Sequence, residues 1–131
     1  MIPKFRAWHK PMQRMSEVLA ISYERQKVKI RHLRGTTHMT VLFDDVELMQ
    51  STGLVDKNGQ EIFEGDIVEF EDADDIENVY INQGVIEWCQ GGFTVSNRTT
   101  VTLDDLLDED TLEVTIVGNI YDNPELLDDW E

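Results

Sequence analysis

The sequence predicts a mainly β protein. It reads as a small barrel of SH3 size in residues 46–131, preceded by a basic β extension in residues 1–45. Three observations lead there. Short segments alternate apolar and polar residues with a period of two. Glycine-containing turns separate them at short intervals. Only one or two segments have a helical pattern, and both are short.

The elements follow in chain order. Lys4-Phe5-Arg6-Ala7-Trp8 alternates over a short span, and His9-Lys10-Pro11 breaks it. Glu17–Tyr23 is apolar and reads as a strand. Lys27-Val28-Lys29-Ile30-Arg31 alternates strictly, so Val28 and Ile30 face inward and the three cations share the other face. Gly35-Thr36-Thr37-His38 reads as a loop, and Asp44–Met49 carries the chain into its second part. Asp56-Lys57-Asn58-Gly59 is a tight reversal, because Asn and Gly tolerate positive φ. Glu64-Gly65-Asp66 is a second turn that opens a strand at Ile67. Glu71–Asp75 is a solvated acidic loop. Tyr80–Trp88 is a strand in which Gly84 signals a bulge or bend. Gln90-Gly91-Gly92 turns the chain into Phe93-Thr94-Val95. Thr102–Leu107 has the pattern of a short helix, with Thr102 as its cap and Asp104 and Asp105 in its first turn. Glu113–Val117 is a strand. Asn123 caps a last helical turn opened by Pro124 and followed by Glu125–Trp130. Four or five strands between Ile62 and Ile120 suit the barrel.

The 131 residues are enough for one core, or one core with an arm. An apolar share of 40% suits a globular chain. No apolar run has the roughly 18 residues that a membrane span requires. The N-terminus lacks the apolar centre of a secretory signal. Cys89 is the single cysteine, so no intrachain disulfide forms. A cytoplasmic protein is the simplest expectation.

Charge divides the chain. Residues 1–43 carry nine Lys/Arg and two Glu, a net of +7; residues 44–131 carry two Lys/Arg and 25 Asp/Glu, a net of −23. The basic part can fold against its own acidic part, reach that of a neighbouring subunit, or bind an anion such as nucleic acid. The overall net of −16 disfavours the last, since most of the molecule repels phosphates.

The residue types that could carry chemistry also have plain architectural roles. Gly53, Gly59 and Gly65 recur every six residues, but a phosphate loop opens a helix and these flanks are strands. Asp66 reads as a turn residue accepting backbone N–H bonds. Asn119 and Asn123 bracket Tyr121 as turn and cap. The clusters Asp72/Asp74/Asp75 and Asp104/Asp105/Asp108/Glu109/Asp110 lack the order of a calcium loop. Cys89 has no histidine near it in sequence; His9, His32 and His38 all precede it by far. No nucleophile triad, zinc set or nucleotide fingerprint occurs. No catalytic residue, metal ligand or cofactor is therefore expected. The best binding candidates are the cations Lys27, Lys29 and Arg31, with Arg25 before them and Arg34 beyond. Their plain reading is a soluble strand edge, or a partner surface for the acidic part.

Several segments taken together resemble one family. They are Lys4–Trp8, Leu48-Met49-Gln50-Ser51-Thr52-Gly53-Leu54, Asp56–Gly59, Ile62-Phe63-Glu64-Gly65-Asp66-Ile67-Val68 and Gly118-Asn119-Ile120-Tyr121-Asp122-Asn123-Pro124-Glu125-Leu126-Leu127. They resemble the YopX family of small bacteriophage and prophage proteins. His9 stands where that family is expected to carry an acid. The resemblance implies a β fold with an SH3-like barrel in the C-terminal part, and brings no enzymatic activity or functional residues. The expectation is a non-enzymatic accessory protein that self-associates, Lys27, Lys29 and Arg31 meeting the Asp104–Asp110 cluster, with a host or phage protein as a further partner. The alternative is a regulator of nucleic-acid processes, by direct binding through the basic strand or by acidic imitation of DNA.

Overall fold

A computed structural model describes residues 4–32, 35–73, 79–89, 92–96, 101–102, 107–108 and 111–127. The described residues are mainly β and form two sheets and no closed barrel. The chain divides into two compact units, Met1–Ser51 and Thr52–Glu131.

Unit 1 is an antiparallel meander of β1 (Phe5–His9), β2 (Arg14–Ser22), β3 (Lys27–His32) and β4 (His38–Leu42). A 3₁₀ turn at Phe43–Asp45 then leads into β5 (Val46–Val55). The first half of β5 returns beside β1, giving the order β5-β1-β2-β3-β4. One face carries the core: Ala7, Val28, Ile30, Val41 and Val46, packed with Val18, Ile21, Phe43 and Leu48. Val28 and Ile30 are fully buried as their alternation predicts, each stabilising the fold by about 1.5–3 kcal/mol.

The second half of β5 belongs to unit 2. It pairs with β6 (Glu61–Phe63) across the turn at 56–60. The strands β7 (Asp66–Ala73), β8 (Val79–Cys89), β9 (Gly92–Ser96), β10 (Val101–Thr102), β11 (Leu107–Asp108), β12 (Thr111–Leu112) and β13 (Thr115–Asn119) follow. Five of them form an antiparallel sheet in the order β10-β9-β8-β7-β13. β12 pairs antiparallel with β11 and meets β5 in parallel at Thr111 and Val55. Ile62, Val68, Phe70, Ile86, Val95, Leu112 and Val114 make the core of this unit.

Five local expectations change. The acidic loop expected at Glu71–Asp75 is strand as far as Ala73, because Glu71, Asp72 and Ala73 pair with Ile81, Tyr80 and Val79 of β8; Asp74 and Asp75 lie outside the described residues. The helix expected at 102–107 has strand at both its ends: Thr102 pairs with Thr94 in β10, and Leu107 pairs with Leu112 in β11. β-branched Val101 and Thr102 fit a pleated ladder, and pairing outweighs the small helical preference of the acidic residues beyond them. Residues 103–106 lie outside the described residues. Gly84 makes no bulge, since its pairing with Val68 falls in an unbroken register. It is small because a Cβ there would stand 2.3 Å from Val95 Cγ1. The register shift lies instead between Ile116 and Gly118 of β13. His38, expected in a loop, opens β4, a strand the sequence pattern did not mark. At the last turn Asn123 does not cap through its side chain: its carbonyl accepts the Leu126 N–H at 3.1 Å, while its Oδ1 accepts the Asn119 N–H at 3.2 Å.

Candidate functional site

The cationic candidates lie on β3. Its alternation leaves Lys27 and Lys29 exposed on the face opposite Val28 and Ile30. Across the ladders, Lys27 stands between Ser22 and Leu42, Lys29 between Ala20 and Thr40, and Arg31 between Glu17 and His38. Lys27, Lys29 and Arg31 thus share one face. Arg31 Nη2 bonds the Glu17 carboxylate. Both side chains are more than a third exposed, so this pair contributes about 1 kcal/mol at most. Arg25 sits in the turn before β3, where its backbone N–H bonds Ser22 Oγ at 3.2 Å. Arg34 lies outside the described residues. So do Asp104, Asp105, Glu109 and Asp110, and Asp108 and Cys89 are described only by their backbones.

The glycine, aspartate and asparagine motifs of unit 2 converge on one junction. Asp56 is buried and its Oδ1 accepts the N–H groups of Asn58 at 2.8 Å and Gln60 at 2.9 Å. Its Oδ2 accepts the Ile116 N–H at 3.1 Å, and the Lys57 N–H bonds the Val114 carbonyl at 3.0 Å. Gly59 takes φ 79° to close this turn, a region where a side chain is strained. Asp66 behaves as expected of a turn acid: its Oδ2 accepts the Phe63 N–H at 2.8 Å. Gly65 beside it, at φ 89°, donates to the Ile86 carbonyl at 2.8 Å and accepts from the Ile120 N–H at 3.0 Å. Asn119 Oδ1 accepts the N–H groups of Tyr121 at 3.0 Å and Asp122 at 2.9 Å. Asp66 and Asn119 are also direct ladder partners. The two segments that look most like a binding signature are therefore two sides of one scaffold. Both carboxylates, Asp56 and Asp66, are thereby committed to backbone N–H groups of the turns.

The side-chain pair that sequence reading passed over is His9 with His32. His9 Nδ1 lies 3.2 Å from His32 Nε2, and the rings stack with centroids 5.4 Å apart and planes 28° apart. His9 is buried, while His32 is half-buried. Burial holds the His32 pKa below its ordinary value, and the neighbouring His9 and Arg14 lower it further. A spacing of 23 residues carries no periodic signal; only the sheet register brings the rings together. Elsewhere in unit 1 an open groove of about 480 Å³ is lined by Phe5, Val18, Leu19, Ala20, Ile21 and Tyr23 together with Lys4. Among the described residues no three His, Cys, Asp or Glu side chains gather to hold a metal, and no helix is long and apolar enough to cross a membrane.

Comparison with known proteins agrees with this frame. The model of the YopX protein family matches residues 4–128. The crystal structure of protein EF1440 from Enterococcus faecalis is similar over 98% of this chain and 99% of that one, at 30% identity and a TM-score of 0.65. No curated protein matches.

Proposed function

The chain belongs to the YopX family, and on that premise we propose that it is a non-enzymatic, phage- or prophage-encoded accessory protein of the cytoplasm. It acts as an interaction module that associates with copies of itself. Unit 2, with its short antiparallel strands and tight turns, is read as a divergent SH3-like barrel. The observation that carries the proposal is the exposed face shared by Lys27 and Lys29 in a chain whose residues 44–131 carry a net of −23. Opposite charges on two copies steer and orient their encounter. The engagement of Asp56 and Asp66 by backbone N–H groups supports an architectural role for the family motifs. Host or phage proteins with acidic surfaces fit the same face.

Light scattering at low salt (about 0.05 M) and high salt (about 0.5 M) tests this, since the screening length shrinks severalfold between them. The expected result is an oligomer that dissociates at high salt and in the double variant Lys27→Glu/Lys29→Glu. An oligomer indifferent to both salt and charge reversal would remove the electrostatic basis of the proposal, and a monomer throughout would remove self-association.

A further inference from the structure

His9 closes β1 and His32 closes β3, with β2 running between them. The register places Ser16 of β2 beside both Ala7 and His32, and Arg14 beside His9. The rings therefore meet over β2 on the core face of the sheet. Ser16 is fully buried there and small enough to leave room for them. The contact joins two strands that share no ladder of their own.

An imidazole–imidazole bond needs one N–H and one lone pair. When both rings are protonated the contact has two donors and no acceptor, and two like charges face each other at close range. Among the described residues the surroundings offer no relief. β2 contributes the Arg14 guanidinium, and β5 contributes Val46 beside His9. Glu17 and Arg31 are paired with each other and project from the opposite face. Lys10, following β1, is held by Glu47 and by the Asp44 carbonyl, and its N–H bonds the Asp45 carbonyl. No carboxylate of the described residues bonds either ring.

We propose that the His9–His32 contact is an acid-sensitive latch across β2, closed while at least one ring is neutral and released when both are protonated, freeing the ends of β1 and β3. The sign follows from the lowered pKa of His32. The unfolded or opened chain takes up its proton near the ordinary histidine value of about 6.5, whereas the folded site resists it. The latch is fully closed above that value and is lost progressively as the pH falls below it.

The test uses the full chain. Nitrogen-15 NMR of the two imidazoles reads their protonation from about pH 7.5 to about pH 5, spanning the ordinary histidine range. Amide hydrogen exchange, corrected for intrinsic rates, reads the ends of β1 and β3. The expected result is one donor and one acceptor nitrogen at the contact at the upper pH. Exchange protection of these strand ends then falls by about tenfold or more toward the lower pH, as expected when one hydrogen bond is lost and a like-charge contact takes its place. The variant His32→Gln removes this pH dependence. Protection that persists while both rings protonate, or an unchanged pH dependence in His32→Gln, overturns the proposal. If that variant does not fold, the native rings alone decide: independent titration of both at ordinary values overturns it equally.

Discussion

The carboxylate of Asp56 accepts the backbone N–H of Ile116 at 3.1 Å, across 60 positions of sequence. One buried side chain thereby closes its own hairpin turn and ties that turn to β13, because both its oxygens are used. Replacement by alanine leaves the N–H groups of Asn58, Gln60 and Ile116 without this acceptor. Each buried donor left unmet costs about 1–3 kcal/mol. Asn58 and Gln60 are exposed residues whose N–H groups water can reach, so Asp56→Ala is expected to destabilise unit 2 by about 1–3 kcal/mol, chiefly through Ile116, read as a lower urea midpoint. A loss below about 1 kcal/mol would mean that water replaces the carboxylate without penalty.

Gly118 and Asn123 form a second tight relationship. A Cβ on residue 118 would lie 2.5 Å from Asn123 Oδ1, the atom that accepts the Asn119 N–H. Gly118→Ala must displace that oxygen and is expected to cost about 1–3 kcal/mol. Asn123→Ala removes the bond and the two nearest obstructing atoms, Oδ1 and Cγ, and leaves Cβ at 3.0 Å. The double variant should therefore lose less than the sum of the singles, in a double-mutant cycle read by thermal or chemical denaturation. Strict additivity would separate the two residues energetically.

Gly84 makes the same argument within β8. Its missing Cβ is space taken by Val95 Cγ1, and Val95 is in the core of unit 2. Gly84→Ala is expected to destabilise the fold by about 1–3 kcal/mol through overpacking. Trimming the opposing residue, as Gly84→Ala/Val95→Ala, should recover part of that loss. If Gly84→Ala is neutral in denaturant titration, the strand has shifted to accommodate it.

The Glu17–Arg31 pair gives a contrasting prediction. Its exposure limits its contribution to stability, so Glu17→Gln should change the unfolding free energy by less than about 1 kcal/mol. The same change makes the face of Lys27, Lys29 and Arg31 more positive. Salt dependence of self-association, measured by sedimentation velocity, should become steeper. An unchanged salt slope would place the association surface elsewhere.

Much of this architecture was legible from residue order. Strict alternation at Lys27–Arg31 marked β3 and its buried face, because a period of two assigns sides without reference to any partner. Asp56–Gly59 and Gly65–Asp66 announced turns, since positive φ and side-chain capture of N–H groups are local events. The family motifs were readable for the same reason, and their assignment to architecture agrees with their hydrogen bonds. Local signals misled at Thr102, where cross-strand pairing prevailed over a cap pattern, and at Gly84, where the need for space lies on another strand.

By itself, then, the order of amino acids determined that the chain is β-rich, which cations share a face, and where it reverses. Only tertiary structure decided that Asp56 reaches β13, that His9 meets His32 over β2, and that Gly84 yields its volume to Val95. The physical reason is range. Turn geometry and alternation are properties of a few consecutive residues, whereas register sets which distant groups face each other, and a slip of one residue would turn every side chain to the opposite side.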